Sequence, residues 1–230
     1  MKRLITLNLA GRKNFDARFD SIIRFLNEEK ADIVCLQEVT FDGKESLAHT
    51  INEKLDLPYT SIQADLAEKY ERESKKLTDG LAILARDTII STKAITLTKV
   101  PEDKNGRPDF HKRIAQIVKF DDGTIITNTH LASNNNSHLQ FAELLNLVPE
   151  RCILTGDFNL PKNKILANKQ LWNKDYSCSI DFINYISFPK ENQTFDYFLI
   201  PKTNRISNIR IASGLSDHNA IICDIDTVDY

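Results

Sequence analysis

Six groups of polar residues in this 230-residue chain share one position: each comes at, or just past, the end of an apolar run. Asn8 ends ITLN, Glu38 ends IVCLQE, His130 ends IITNTH, and Asp157 and Asn159 end CILTGDFN. Asp196 sits within TFDYFLI, and Asp217 and His218 precede the last apolar run in LSDHNAI. A carboxylate or amide in such a place is costly unless it is paired, hydrogen-bonded or bound to metal. One of them alone would read as a cap or turn residue. Six at corresponding strand ends point to a site built where loops leave one edge of a sheet scaffold. The residue types select the chemistry. Asp, Glu and Asn offer oxygen to a hard cation such as Mg²⁺, which keeps several waters and bridges to phosphate. Cysteine is absent from the set and only two histidines belong to it, a poor composition for tetrahedral zinc. Ser216, in SGLSDH, lies outside the spacing of a GxSxG nucleophile elbow, and no GxxxxGK phosphate loop is present. Metal-assisted hydrolysis of a phosphate ester remains.

The scaffold that must position these residues is strand-rich. A strand pattern over Arg3–Leu9 leads to a helix with Phe15, Phe19, Ile22, Ile23 and Leu26 on one face, spaced as a helix requires. DIVCLQEV (Asp32–Val39) reads as a strand with little exposed face, and Lys44–Leu55 as a second helix ending before Pro58. GLAILAR, TIISTKAITLT, KRIAQIVKF and GTIITNTHL are further strands rich in Ile and Thr, with a hairpin turn at Asp121–Gly123. A helix over Ser137–Leu147, the strand CILTGDF, an irregular stretch from Leu160 to about Gln193, and the strands TFDYFLIP, NRISNIRIA and NAIICDI complete the chain. The run EKYERESKK (Glu68–Lys76), mixed in sign, reads as an exposed loop or helix face. Two stacked sheets with helices outside satisfy this order, in one domain over residues 1–230.

Composition sets outer limits. Thirty Lys and Arg against 32 Asp and Glu give a net charge of -2, which argues against gripping nucleic acid through bulk positive charge. A nuclease stays open, because an acidic metal-binding cluster can offset a basic groove. No run approaches the roughly 20 apolar residues of a membrane helix, and the basic start MKRLITLNLAGRKN reads as a first strand rather than a signal peptide. Cys35, Cys152, Cys178 and Cys223 show no CxxC pairing, and three lie in apolar runs. They are expected to be small buried side chains in a reducing, cytoplasmic setting. The sequons at Asn135 and Asn192 carry no weight without a secretory signal, and no obligate protein partner is implied.

The set LNLAG, DIVCLQEV, DGLAILAR, NTHLAS, LTGDFN, FDYFLI and LSDHNAI resembles the endonuclease/exonuclease/phosphatase superfamily of DNase-I-like phosphoesterases, in family order from Asn8 to His218. The resemblance implies an α/β fold, a four-layer αββα sandwich of two stacked mixed sheets flanked by helices. It implies Mg²⁺ as cofactor, for which Mn²⁺ can substitute. Glu38 would be the principal metal ligand, with Asn8 beside it holding the metal or a phosphate oxygen, and Asp217 near the metal directly or through water. Asp157 would orient or deprotonate the attacking water, and Asn159 would hydrogen-bond the charge developing on phosphate. His218 would contact the phosphate, oriented by Asp196, and His130 would donate to a phosphate oxygen or assist the leaving group.

Departures narrow the substrate. The abasic-site repair branch often carries an acidic residue where this chain has Ala10, and a Tyr-x-Pro-Asn motif where this chain has His130-Leu131-Ala132-Ser133. The THL form resembles instead branches that include sphingomyelinases, inositol polyphosphate phosphatases, DNase-I-like enzymes and tyrosyl-DNA phosphodiesterases. The interval from Asn159 to Asp196 is short, and Trp172 is the single tryptophan, where the repair enzymes carry a pair. Arg113, in PDFHKRIAQ, and Arg12 are the basic residues placed to read a substrate phosphate, and Thr78-Asp79-Gly80 is expected to border the cleft. His49, His111 and His138 read as surface or structural residues. The expectation is a Mg²⁺-dependent phosphodiesterase, a nuclease or DNA-end processing enzyme acting on DNA or RNA. The alternative is a phosphatase or phosphodiesterase for inositol phosphates, phospholipid headgroups or another small phosphoester.

Overall fold

The computed structural model describes residues 1–42, 45–72, 75–99, 112–133, 137–168 and 173–227. The first sheet runs in the order β12 (Asn204–Ala212), β13 (Ala220–Thr227), β1 (Lys2–Asn8), β2 (Ile33–Asp42), β5 (Lys75–Ala85), β4 (Ser61–Arg72), with the two-residue β3 (Glu45–Ser46) beside β2. The second runs β10 (Tyr176–Cys178), β11 (Asp196–Pro201), β9 (Ile153–Asp157), β8 (Ile125–His130), β7 (Ile114–Phe120), β6 (Ile89–Thr96). Both sheets are mixed: β1–β2 and β8–β9 pair in parallel, and the other pairs are antiparallel. The helices are α1 (Phe15–Glu29), α2 (Leu47–Asn52), α3 (Ser137–Leu147) and the short α4 (Lys162–Leu166).

Why the central strands read as unbroken apolar runs follows from burial on both faces. In β1, Leu4 packs in the core that joins the two sheets, whereas Ile5 and Leu7 turn outward to a second core. That second core is completed by Ile22, Phe25 and Leu26 of α1 and by Leu47 and Ile51 of α2. On the far side Phe141, Leu144 and Leu145 of α3 cover the second sheet, where Phe141 meets Phe158 edge to face. Helices therefore lie outside two packed sheets, as the sequence implies.

Three readings need correction. The described residues of Glu68–Lys76 are neither loop nor helix face: Glu68–Arg72 belong to β4 and Lys75–Lys76 to β5, which are antiparallel partners. The ladder in which Ile62 faces Leu84 runs on through this mixed-charge stretch, which alternation of apolar residues does not reveal. The second helix is shorter than Lys44–Leu55, because Glu45 and Ser46 pair with β2 before α2 begins. The stretch from Leu160 to Gln193 holds α4 and β10 rather than being irregular throughout. The hairpin at Asp121–Gly123 is as read, with Gly123 at φ +87°. Trp172, His111 and the Asn135 sequon lie outside the described residues.

Candidate active site

Strand register builds one half of the site. In the second sheet, His130 of β8 stands opposite Asp157 of β9, and Asp157 stands opposite Asp196 of β11. Three neighbouring strands thus present imidazole, carboxylate and carboxylate at one level. The close approach of β9 to β8 depends on the residue before Asp157: Gly156 has φ +132°, and a Cβ there would lie 2.0 Å from the Thr129 carbonyl oxygen. Any side chain would push Asp157 out of this row.

Asp157 is fully enclosed and lies at the centre of the polar contacts. Its Oδ1 accepts from the Asn159 backbone N–H at 2.9 Å, and its Oδ2 accepts from Asn8 Nδ2 at 3.0 Å. The same Oδ2 lies 3.5 Å from His130 Nε2 and 3.7 Å from His218 Nε2. His218 is oriented by its other ring nitrogen, Nδ1, 2.8 Å from Asp196 Oδ2, so that Nε2 faces Asp157. Asp196 is itself fixed: its backbone N–H donates to Ser187 Oγ, and its carbonyl accepts from Tyr185 Oη. Phe188 covers the His218 ring at a centroid distance of 4.6 Å. Asn159 adopts a left-handed backbone, φ +48°, which Asn tolerates better than most residues. Its side-chain amide donates to the Leu131 carbonyl.

The other half comes from an irregularity in the first sheet. Pairing between β2 and β5 slips between Leu36 and Val39, so Gln37 and Glu38 bulge out opposite Leu81. Glu38 takes φ +50°, a conformation that disfavours non-glycine residues and that recurs where function holds the backbone. Asn8, at the end of β1, accepts from the Ala10 N–H through Oδ1 and donates through Nδ2 to both Glu38 Oε1 (3.2 Å) and Asp157 Oδ2. One amide therefore stitches a carboxylate of each sheet together.

These groups meet in a cleft of about 1240 Å³. Glu38, His130, Asp157, Asn159, Asp217 and His218 line it, with Asp79, Lys112 and Arg113 on one wall. Asn8 and Asp196 support it from behind, both buried. Arg12 is exposed and is not among the lining residues. His138, read from sequence as a surface or structural residue, is among the residues that line the cleft, whereas His49 is held by Ser46 Oγ. Phe188 was not foreseen: it lies in a stretch without apolar periodicity, and only its packing on His218 gives it meaning.

Charge in the cleft is unevenly satisfied. Burial, then the neighbouring Asp196, raises the Asp157 pKa above the ordinary carboxylate range. Glu38 is raised too, first by the protein crowded around it and then by Asp79, against the lowering effect of the Asn8 hydrogen bond. Burial disfavours charge on His218, but Asp196, Asp157 and Asp217 outweigh it and lift the pKa to about 10. Asp157, Asp196 and His218 form a buried cluster that could hold a metal ion. In that cluster Asp196 Oδ2 and His218 Nδ1 already bond each other, which leaves Asp196 Oδ1 as a buried oxygen with no hydrogen-bond partner among the described residues. The oxygens of Glu38 and Asp157 offer a second set that could hold a hard cation: two carboxylates with raised pKa share the single Asn8 amide nitrogen, where a cation would lower the cost of both. All four cysteines are buried and unpaired.

Comparison with known proteins bears on the family and the fold. The model of the Endonuclease/Exonuclease/phosphatase family matches residues 5–218. No curated protein matches the chain. Among solved structures, an endonuclease/exonuclease/phosphatase from Beutenbergia cavernae superposes with a TM-score of 0.80 at 17% identity, covering 98% of this chain and 71% of that one. The 3' phosphatase NExo from Neisseria, bound to product DNA hairpin, gives a TM-score of 0.70 at 15% identity, covering 98% and 100%. The human Nocturnin catalytic domain with bound sulfate gives 0.66 at 20% identity, covering 98% and 93%. At these identities the structures speak for the fold, a sandwich of two mixed sheets with helices outside. Among the described residues no helix is long and apolar enough to cross a membrane. With the family model spanning nearly every element from β1 to the cleft histidine before β13, the chain belongs to the endonuclease/exonuclease/phosphatase family, whose members are hydrolases acting on phosphoester bonds.

Proposed function

We propose that this protein is a Mg²⁺-dependent phosphodiesterase, a nuclease or DNA-end processing enzyme that directs water in line at a phosphodiester. The observation that carries the reading is the Asp157 carboxylate, buried at the centre of a cleft with His218–Asp196 on one side and Asn8–Glu38 on the other. Glu38 and Asn8 would hold the metal, with Asp217 nearby. When bound, the metal supplies positive charge that draws electron density from the phosphate and lessens its repulsion of an incoming hydroxide. Asp157, with its raised pKa, is suited to take a proton from water and to aim it. His218, protonated at neutral pH and turned by Asp196, donates from Nε2 to a phosphate oxygen. One N–H of Asn159 is engaged by Leu131, which sets the amide so that its other N–H can stabilise the developing charge. His130 donates to a phosphate oxygen or assists the leaving group. Arg113, on the cleft wall, contacts substrate phosphate, and Arg12 is left without a role.

A cleft this large, lined by Lys112, Arg113 and Lys164 and by Phe188 and Phe195, favours a substrate longer than one small headgroup. The test is Mg²⁺-dependent nicking of supercoiled plasmid by the wild type and by Asp157→Asn and His218→Ala proteins. Nicking abolished by EDTA and by both substitutions is the expected result. An intact plasmid sinks the nuclease assignment and moves the search to damaged DNA ends, inositol phosphates and phospholipid headgroups. Nicking that persists in both variants means the wrong residues were chosen.

A further inference from the structure

Behind the cleft, a row of buried side chains crosses from one sheet to the other. Gln37 donates through Nε2 to Thr6 Oγ1 (3.0 Å) and Asn128 Oδ1 (2.8 Å). Asn128 donates through Nδ2 to the Leu36 carbonyl (3.0 Å), the Ala82 carbonyl (3.2 Å) and Gln116 Oε1 (3.3 Å). Gln116 continues the row to the Gln63 carbonyl and Asp65 Oδ2. Gln37, Asn128 and Gln116 are fully buried. A polar row in such a place is costly to assemble unless nearly every member is satisfied.

The two carbonyls that Asn128 holds stand at a particular point. Leu36 and Ala82 are the last regular pair of β2 and β5 before the bulge that turns Glu38 into the cleft. Asn128 also shares a strand face with His130, two residues along β8. We infer that Asn128 is a positioning residue: by gripping the Leu36 and Ala82 carbonyls from the opposite sheet, it sets the left-handed turn at Glu38 and ties it to the His130–Asp157 row. The inference rests on the reading of Glu38 as a metal ligand only for its functional consequence. The geometric part stands on the bulge itself.

The row explains why a bulge in one sheet is spaced correctly against a regular register in the other. Without Asn128 the Leu36 and Ala82 carbonyls would lose a buried donor from the second sheet, and the approach of His130 to Glu38 at 4.0 Å holds only the side chain beyond the break, not the paired backbone before it. Glu38 would then be free to relax toward the ordinary strand conformation, pairing with β5 and facing away from Asp157.

The experiment compares Asn128→Ala with Leu144→Ala, a core truncation on α3 that removes stability far from the bulge. Amide hydrogen exchange over residues 36–40 and Mn²⁺ affinity, by electron paramagnetic resonance, are measured in both full-length proteins. Asn128→Ala is expected to speed exchange at 36–40 and to weaken Mn²⁺ binding by about 10–100-fold, the usual effect of losing a group that orients a ligand. Leu144→Ala, at a comparable loss of melting temperature, is expected to do neither. Unchanged exchange at 36–40 in Asn128→Ala overturns the inference, as does a Leu144→Ala protein that reproduces both changes. If wild type and Glu38→Gln bind Mn²⁺ alike, the metal reading of the site falls. Exchange at 36–40 then decides for or against Asn128 by itself.

Discussion

The two ends of the sandwich use the same acidic side chains to opposite effect. Away from the cleft, Arg3 grips Asp224 through Nε and Nη2 at 2.8 and 3.2 Å, and Asn208 adds a third bond to the same carboxylate. Lys2 sits between Asp87 and Asp122, and Arg210 pairs with Glu29. The Arg3 hydrogen bond holds the Asp224 pKa down, so the folded protein prefers it charged. At the cleft end, Asp157 and Glu38 share an amide and face imidazoles, and both are pushed up. At the far end the chain's own cations complete the carboxylates. At the cleft end the carboxylates are left with raised pKa values, and on the proposed reading a cation from outside would complete them.

The sharpest way to break this contrast is to neutralise the cleft. Asp157→Asn and His218→Ala are each expected to lower the turnover of a phosphodiester roughly 10²–10³-fold, the scale on which loss of a preorganised polar group acts. The Asp157→Asn melting temperature, compared in chelator, should stay within reach of the wild type, so that activity and folding part company, whereas His218→Ala, which strips the buried Asp196 of its partner, should lose stability as well. Neutralising the far end should do the reverse. Arg3 is a third exposed, and solvent screens its pair, so Asp224→Ala should cost about 1–2 kcal/mol in urea unfolding at pH 7 rather than the value of a sealed pair. Its activity should be wild-type.

The pH dependence of stability should separate the ends as well. The Asp224 pKa is lowered from its usual 3.8, so its contribution is present above that value and is lost as pH falls through the folded-state pKa. The penalty of Asp224→Ala should therefore vanish in acid. His218 is raised from its usual 6.5 to about 10, so its contribution is complete below 6.5 and is lost as pH rises toward 10. In chelator, His218→Ala should flatten the decline of stability across that range. The smallest expected effect is that of the ion. At ten times its dissociation constant, Mg²⁺ should stabilise the wild type and Asp224→Ala alike by about 1.4 kcal/mol. Glu38→Gln should not respond, and a response there would mean that the ion is held elsewhere.

Regular pairing explains what the sequence made legible. His130, Asp157 and Asp196 end or begin uniform apolar runs, and antiparallel or parallel register carries such residues to one level with little further information. The order of strands and the outward helices follow from the same alternation. Glu38 was legible as a residue type at a strand end, but its left-handed turn was not, because a bulge depends on what grips it from outside the strand. Asn128 reads in isolation as one more polar residue in IITNTH; its meaning lies in Leu36 and Ala82, far away in sequence. The pairing of β4 with β5 beyond Leu66 escaped for a related reason, since a ladder between two polar stretches has no signature within either strand. Phe188 belongs to a loop and the cleft-lining His138 to the first turn of α3, and only the packed molecule determines where either is placed.

The pairing of β1 with β13, which sets Arg3 opposite Asp224, has a consequence for how the molecule comes into being. The strands of the second sheet, β6 to β11, all lie between Ile89 and Pro201 and can find one another as soon as that segment has left the ribosome. The first sheet cannot finish on that schedule: one edge of its opening strand waits for residues beyond 219, some two hundred positions later in synthesis. Such distant closure slows folding and leaves an unpaired strand edge open to wrong partners in the meantime. His218 is delivered immediately before that closing strand, so a nascent chain acquires the last of its cleft residues just as the sheet seals, and an unfinished chain lacks the imidazole altogether.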